Sequence, residues 1–144
     1  MDYQSTYHPE LNLLIVEIRG LFVGEEMIAA KEREIAKGWP NPQLRTIVDL
    51  TQAEPPDSMA EVKAYIASMA ARPTSQTGAS TALLVKAPGW AALAYFFSQS
   101  MESVRRIDVF STLQPSLDWL SLTRDEVCAV WPSIAARLAH EDTL

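Results

Sequence analysis

The sequence has few of the residues that mark a secreted, metal-binding or catalytic protein. Cys128 is the single cysteine and stands among apolar neighbours, so it can form no intramolecular disulfide and is expected to be a small buried side chain. His8 and His140 lie near the chain ends, where a histidine is poorly placed as a general base or a zinc ligand. We therefore expect a reducing, cytoplasmic compartment, no metal site and no catalytic residue.

Glycine motifs and long apolar runs are also missing. The five glycines form neither a Rossmann nor a Walker pattern, and no serine stands in a G-x-S-x-G motif, so neither a nucleotide nor a hydrolase site is indicated. The longest apolar runs, such as residues 13–16 and 82–85, are far shorter than the roughly 18 residues that cross a bilayer. We expect no cofactor, and the chain is predicted to be neither an enzyme nor an integral membrane protein.

Positive charge is scarce as well. The chain has 18 acidic and 12 basic residues, a formal net charge of -6, and no basic run longer than Arg105-Arg106. Nucleic-acid-binding domains carry a clustered basic surface, so nucleic acid is not an expected partner. The length of 144 residues suits one domain with one core.

The apolar pattern alternates between the periods of strands and helices. Strands are predicted at 11–18, 46–50, 81–85 and 107–110, with a hairpin strand near 5–7. Helices are predicted from about Val23 to Gly38, from 59 to 71, from 88 to 101 and from 113 to 120. The fold class is therefore α/β: a mixed, largely parallel sheet of about four to five strands with helices packed on it.

The first predicted helix has two different sides. Its period of three and four residues predicts an apolar side that carries Met27, Ile28, Ile35 and Trp39. Its other side is predicted to face water and carries Glu25, Glu32 and Lys37.

The chain continues beyond the last predicted strand and the short helix that follows it. A capping-box pattern from Thr123 to Glu126 predicts an extra C-terminal helix. Pro132 should split this helix, because proline removes a backbone hydrogen bond from a helix interior.

One group of polar residues follows a predicted buried strand. Asp49 lies near the end of that strand, and Asp57-Ser58 opens the next helix, so two carboxylates and a hydroxyl are expected near the carboxyl end of the sheet. Ligands bind at this end in open α/β folds. A structural alternative is that Ser58 and Glu61 form a capping box, and a phosphate on Ser58 would also be stabilised at a helix N-terminus.

The order of these elements resembles the STAS-like superfamily, and in particular a bacterial SpoIIAA-like branch whose fold is compared with CRAL-TRIO lipid carriers. The resemblance rests on the strand Ile47-Val48-Asp49-Leu50, the helix start Asp57-Ser58, the strand Leu83-Leu84-Val85, and Asp108-Val109-Phe110 followed by residues 116–120. The resemblance covers roughly residues 3–122, so residues 1–122 are predicted to form a STAS-like domain and 123–144 a helical extension packed on the same domain. The resemblance implies a non-enzymatic signalling module with a phosphorylatable serine at Ser58.

Two functions remain open at this point. The first is a regulatory module that docks a protein partner through Asp49, Asp57 and Ser58. The alternative is a carrier or sensor of a lipid or other apolar small molecule, in a pocket between the helices 90–101 and 113–120 that Trp90, Phe97 and Trp119 would line. Packing of these aromatic residues in the core is the structural alternative.

Homodimerisation is a further possibility. Trp131, Ile134 and Leu138 form an apolar face on the C-terminal helix, and this face either caps the domain or binds a second copy of the chain.

Overall fold

The computed structural model describes residues 1–71, 79–102 and 105–144, and within these ranges it contains five strands and six helices. In chain order they are β1 (Asp2–His8), β2 (Leu13–Leu21), α1 (Gly24–Ala36), β3 (Arg45–Glu54), α2 (Met59–Ala70), β4 (Ser80–Leu84), α3 (Pro88–Ser100), β5 (Arg106–Phe110), α4 (Leu113–Trp119), α5 (Arg124–Val130) and α6 (Ile134–Glu141). The predicted loop at 74–78 and the helix end at Arg72-Pro73 lie outside the described residues.

The five strands form one sheet in the order β1-β2-β3-β4-β5. The hairpin β1–β2 is antiparallel, and the other three neighbouring pairs are parallel. In the hairpin turn, Asn12 has a positive φ of 47° and its side chain accepts a 2.9 Å hydrogen bond from the hydroxyl of Tyr7. The predicted mixed, largely parallel sheet with an N-terminal hairpin is confirmed.

The strand order decides which face of the sheet each helix covers. Each of α1, α2 and α3 joins two neighbouring parallel strands in the same direction, and such crossovers are right-handed, so all three helices lie on one face. Met27, Val62 and Trp90 of these helices belong to one buried cluster. We call this side the first face. The opposite side, the second face, is covered by α4, α5 and α6.

The second face has its own buried cluster. Ile47 of β3 and Leu84 of β4 pack there against Leu117 of α4, Val127 of α5 and Leu138 of α6. Neighbouring residues of a strand point to opposite faces, so β4 supplies Leu83 to the first cluster and Leu84 to the second.

The boundaries of α1 agree with the prediction, but its predicted apolar side is wrong in part. Gly38, with φ of 75°, ends the helix as expected. Ile35 is 37% exposed, whereas the charged residues Lys31 and Glu34 are only 6% and 3% exposed. Residues three and four apart share a helix face, so Met27, Lys31 and Glu34 point to the sheet together. The side predicted to face water is exposed at Glu25, Glu32 and Lys37.

The C-terminal segment forms two helices. Thr123 and Glu126 make the predicted capping box at the start of α5, and Pro132 lies between α5 and α6. Trp131, Ile134 and Leu138 are buried in the second cluster, so this apolar face caps the chain itself and is not a surface for a second copy. The division into 1–122 and 123–144 stays a prediction. None of the helices in the described ranges is long and apolar enough to cross a membrane.

Candidate functional site

A cavity of about 80 Å³ lies on the first face, between the sheet and the helices α1, α2 and α3. Most of its lining is apolar and comes from both layers, including Val16, Phe22, Val62, Leu83, Trp90 and Phe97. Protein interiors are packed nearly as densely as organic crystals, with few voids larger than a water molecule. A cavity of this size in a domain of this length therefore marks a place where the chain has not filled its own core.

Aromatic side chains hold the apolar part of the cavity in place. The ring of Trp90 is buried, and its Nε1 donates a 2.9 Å hydrogen bond to the carbonyl of Ala53. Phe22 meets Trp90 edge-on, with 5.4 Å between ring centroids, and Phe97 lies 5.7 Å from Tyr65. The structure thus brings Trp90 and Phe97, two of the three predicted pocket aromatics, to one cavity.

Among the described residues, Trp119 does not line this cavity, and it borders a separate, more polar concavity with Ser98 and Gln99, so the three predicted aromatics do not meet in one apolar pocket between the helices 90–101 and 113–120. These segments form α3 and α4, which lie on opposite faces of the sheet. Trp119 packs against Phe110 at 5.7 Å between ring centroids, and the guanidinium of Arg106 lies 4.9 Å from its ring. The sequence could not show that α3 and α4 lie on opposite faces. Apolar periodicity identifies which side of a helix is buried, but it does not indicate which face of the sheet the helix covers.

One side of the cavity is polar. We call it the polar wall, and define it by Tyr3, Lys31, Glu34, Thr81 and Arg105, all of which line the cavity. Lys31 Nζ lies 3.9 Å from Glu34 Oε1, and the hydroxyl of Tyr3 donates a hydrogen bond to Glu34 Oε2. Burial, and after it the charge of Glu34, raises the pKa of Tyr3 above its ordinary value, so the phenol stays a hydrogen-bond donor.

Thr81 and Arg105 form the part of the polar wall that comes from the sheet. Thr81 pairs with Ile107 of β5, and Arg105 precedes Ile107 by two residues, so Arg105 and Thr81 belong to the same face. Thr81 is 4% exposed, and its Oγ1 has no hydrogen-bond partner among the described residues. Burial lowers the pKa of Arg105 below its ordinary value, while Tyr65 and Glu34 act in the opposite direction.

The polar wall was not predicted from the sequence. The residue types of Lys31 and Glu34 do not predict core positions, because lysine and glutamate are almost never fully buried without a partner. The available signal was their spacing, since both continue the face of α1 that begins with Gly24 and Met27. In the sequence Arg105 belongs to a short basic run, and nothing local predicts which face of the sheet its side chain reaches.

The residues of the predicted phosphoacceptor surface lie in two different places. Asp57 and Ser58 are exposed, and Ser58 is the N-cap of α2. The predicted capping box is wrong, because the Ser58 side chain makes no cap hydrogen bond. Glu61 instead accepts a hydrogen bond from the backbone N–H of Gly24, so its carboxylate caps the start of α1. The Ser58 hydroxyl is therefore left at the surface without a role in the helix start.

Asp49 does not join Asp57 and Ser58. Its carboxylate faces the second face, where it accepts a 2.6 Å hydrogen bond from Arg137 of α6 and a 2.6 Å hydrogen bond from the hydroxyl of Thr51. Asp49 is 6% exposed, and this ion pair ties the middle strand to the last helix. The structure assigns Asp49 to the packing of α6 and not to a surface shared with Ser58.

The potential metal-ligating and nucleophilic side chains of the described residues do not form a cluster. Within the ranges 1–71, 79–102 and 105–144, no group of three or more His, Cys, Asp and Glu side chains could hold a metal ion. His8 lies near Thr6 of its own strand, with 3.2 Å between Nε2 and Oγ1. Cys128 is a free, partly buried thiol beside the second cluster.

Comparison with known proteins supports the fold. No family model and no curated protein matches the chain. A solved structure from Shewanella loihica PV-4 does match, and it is described as an uncharacterized protein from the DUF3478 family with a SpoIIAA-like fold. The TM-score is 0.55 at 12% sequence identity, and the match covers 83% of this chain and 92% of that chain. At this identity the likeness shows the fold alone, and it confirms the predicted SpoIIAA-like α/β fold.

Proposed function

We propose that this chain is a non-enzymatic cytoplasmic domain that binds a small apolar ligand, as a carrier or a sensor, in the cavity of the first face. The observation that carries the proposal is an apolar cavity with a polar wall, which lies between the sheet and the helices of the first face. Ligand sites are mostly apolar concavities with a few polar groups that fix orientation. The cavity between the sheet and α1, α2 and α3 has this composition.

The volume sets the size of the ligand. An apolar cavity of about 150 Å³ binds benzene, and sites for larger ligands measure roughly 300 to 1,000 Å³. The cavity here measures about 80 Å³. It fits a short alkyl chain of a few carbons, and a longer ligand requires α2 or α3 to move away from the sheet.

A titration with n-alcohols from butanol to octanol, followed through the methyl signals in NMR spectra, tests the proposal. Each buried methylene contributes about 0.8 kcal/mol, so affinity should rise roughly fourfold per carbon until the cavity is full. Methyl shifts are expected at Val62 and Leu83, which line the cavity, and not at Leu117 on the second face. Shifts of equal size on both faces, or none, would reject the proposal.

A matched pair of variants on α3 tests whether the ligand occupies the cavity. Ala94 is 3% exposed and lines the cavity, whereas Ala91 lies on the exposed side of the same helix. Ala94→Phe should fill the cavity and reduce alcohol binding at least tenfold. Ala91→Phe adds the same ring outside the cavity and should leave binding unchanged.

A second function is supported by the start of α2. Ser58 is exposed and makes no cap hydrogen bond, next to the exposed carboxylate of Asp57. We propose that phosphorylation of Ser58, stabilised by the N-terminus of α2, regulates docking of a protein partner on this surface. A phosphate mapped to Ser58 in the protein purified from its native cells, and absent from Ser58→Ala, is the expected result. Phosphate on other residues and none on Ser58 would refute this role.

A further inference from the structure

We infer that the outer edge of β1 pairs with the same edge of a second copy of this chain, in an antiparallel register centred on Ser5. The two sheets then join into one across a two-fold axis. The inference does not depend on the proposed ligand, because it rests on the backbone and the side chains of an edge strand. Within the described residues, β1 and β5 are the two edges of the sheet.

The register of the sheet decides which backbone groups of β1 point away from it. The N–H of Arg45 in β3 donates to the carbonyl of Asn12, and in a parallel pair such a residue bonds the neighbours of its register partner, here Leu13. Leu13 therefore directs its own backbone groups to β1, where its partner is His8. Because these directions alternate along a strand, every second residue of β1, starting with His8, bonds β2. The residues that point outward are Tyr3, Ser5 and Tyr7.

The two edges of the sheet differ in how they are protected. In β5, the N–H of Arg106 donates to the carbonyl of Ala79 and so faces β4, which leaves the N–H of Val109 pointing outward. The carboxylate of Asp108 accepts a 2.8 Å hydrogen bond from that N–H. Proteins also protect exposed edges with lysine and proline, and β1 contains neither. The edge of β1 is therefore the better template for a further strand.

The outward backbone groups of β1 are symmetric about Ser5. A two-fold interface uses the same patch on both copies, so the patch must complement itself. In the register centred on Ser5, this residue lies opposite itself and Tyr3 lies opposite Tyr7. Both are hydrogen-bonded pairs, because their N–H and C=O groups point outward. Every outward group between Tyr3 and Tyr7 then has a partner, and β1 is no longer an edge.

The side chains of β1 complement each other in the same register. The remaining pairs set Gln4 opposite Thr6 and Asp2 opposite His8, and side chains approach most closely in such pairs. Asp2 meets an imidazole that can donate to its carboxylate, and no like charges oppose each other. Within one chain, His8 Nδ1 lies 3.9 Å from Glu10, which is the competing carboxylate. A shift of the centre by one residue would remove the pair of Asp2 with His8, so the side chains favour the centre at Ser5.

Sedimentation velocity at increasing protein concentration tests the pairing. Wild-type protein should form dimers, and Ser5→Pro should weaken dimerisation roughly tenfold or more, because proline removes the central outward N–H while the hairpin keeps its bonds to β2. Ser5→Ala keeps this N–H and is the matched control, so its dimerisation should stay close to that of wild type. Both variants should keep a cooperative thermal transition. A wild-type chain that stays monomeric at millimolar concentration, whether or not another protein binds this edge, would overturn the inference.

A disulfide test determines the register without proline. Gln4→Cys and Thr6→Cys are made in two separate chains that both carry Cys128→Ser, which removes the single native thiol. Opposite residues of a non-hydrogen-bonded pair have Cα atoms about 4.5 Å apart, which suits a disulfide, whereas diagonal neighbours lie roughly 7 to 8 Å apart. Only the mixture of the two chains should form covalent dimers rapidly. Equal rates for the mixture and for either chain alone would overturn the proposed register.

Charge changes test the pair of Asp2 with His8. His8→Asp sets two carboxylates opposite each other and should weaken dimerisation about fivefold. His8→Asp combined with Asp2→Lys restores a pair of opposite charges and should return dimerisation to within about twofold of wild type. A purely structural role of His8 would not give this rescue. A dimer that is insensitive to Ser5→Pro and to both charge changes would form elsewhere on the surface and would overturn the inference.

Discussion

The first and second faces of the sheet bury similar apolar side chains but differ in the surroundings of their buried polar groups. On the second face, Ser116 is fully buried and its hydroxyl donates a 2.6 Å hydrogen bond to the carbonyl of Leu113. The carboxylate of Glu141 accepts from the backbone N–H of Leu113 at 2.9 Å. Of the buried side-chain atoms described on this face, the indole N–H of Trp131 lacks a partner.

The first face keeps both empty volume and charge. Among the described residues, it holds the 80 Å³ cavity, the charged side chains of Lys31, Glu34 and Arg105, and the hydroxyl of Thr81, which has no hydrogen-bond partner there. Natural sequences depart from good local packing mainly at functional sites. The second face is therefore covered by the chain's own helices, whereas the first face contains the empty volume on which the proposed function rests.

The largest expected effect is the loss of the helices that cover the second face. Deleting residues 123–144 would expose Ile47 and Leu84, because Val127, Ile134 and Leu138 would be gone. We expect this truncated chain to lose its cooperative thermal transition, measured by circular dichroism. Deleting only 142–144 should preserve the transition. A truncated chain that melts cooperatively near the wild-type temperature would show that the first face is sufficient for folding.

A pair of neighbouring leucines on β4 compares the two faces directly. Leu84 is 1% exposed and packs on the second face, whereas Leu83 borders the cavity. Leucine-to-alanine changes in cores cost about 2 to 5 kcal/mol. The loss of unfolding free energy should lie near the upper end of this range for Leu84→Ala and near the lower end for Leu83→Ala, because a side chain beside empty space has fewer contacts to lose. Urea unfolding measures both, and equal losses would remove the distinction between the faces.

The ion pair between Asp49 and Arg137 is expected to be the next largest contribution. Asp49→Asn leaves the guanidinium without its carboxylate partner, and the side chain of Arg137 is 32% exposed, so the cost should be about 2 kcal/mol, below that of a fully buried pair. Asp142→Asn breaks the exposed pair with Arg124 and serves as the control, with a much smaller loss. Equal losses in urea unfolding would show that burial of Asp49 contributes nothing.

The smallest predicted effect concerns the capping box of α5. Hydrogen bonds from the backbone and then the side chain of Thr123 lower the pKa of Glu126 in the folded chain. A lowered folded-state pKa adds stability that is present above the ordinary value of 4.5 and is lost as the pH falls through the folded-state pKa. Glu126→Gln should therefore melt slightly below wild type at pH 7, and the two melting temperatures should converge in acid. A constant difference between pH 7 and pH 3 would contradict this cause.

Most of the fold could be predicted from the sequence, whereas most of the candidate site could not. Strand and helix positions follow from apolar periodicity, and the break at Pro132 follows from proline's missing N–H. The wrong predictions for individual residues share one cause. Trp119, Asp49 and Ile35 were assigned from local patterns, but their surroundings depend on the strand order and on which face each helix covers. The sequence pattern does not contain that order directly.

A ligand held on the first face, between the sheet and α1, α2 and α3, can be located directly in a crystal. The protein is crystallised with 4-bromobutanol, because the anomalous signal of bromine marks the position of the ligand. We expect one bromine site between Leu83 and Phe97, both of which line the cavity. Bromine bound only against α4, α5 and α6 or on the outer surface, with the first-face cavity empty at saturating concentration, would contradict the proposed function.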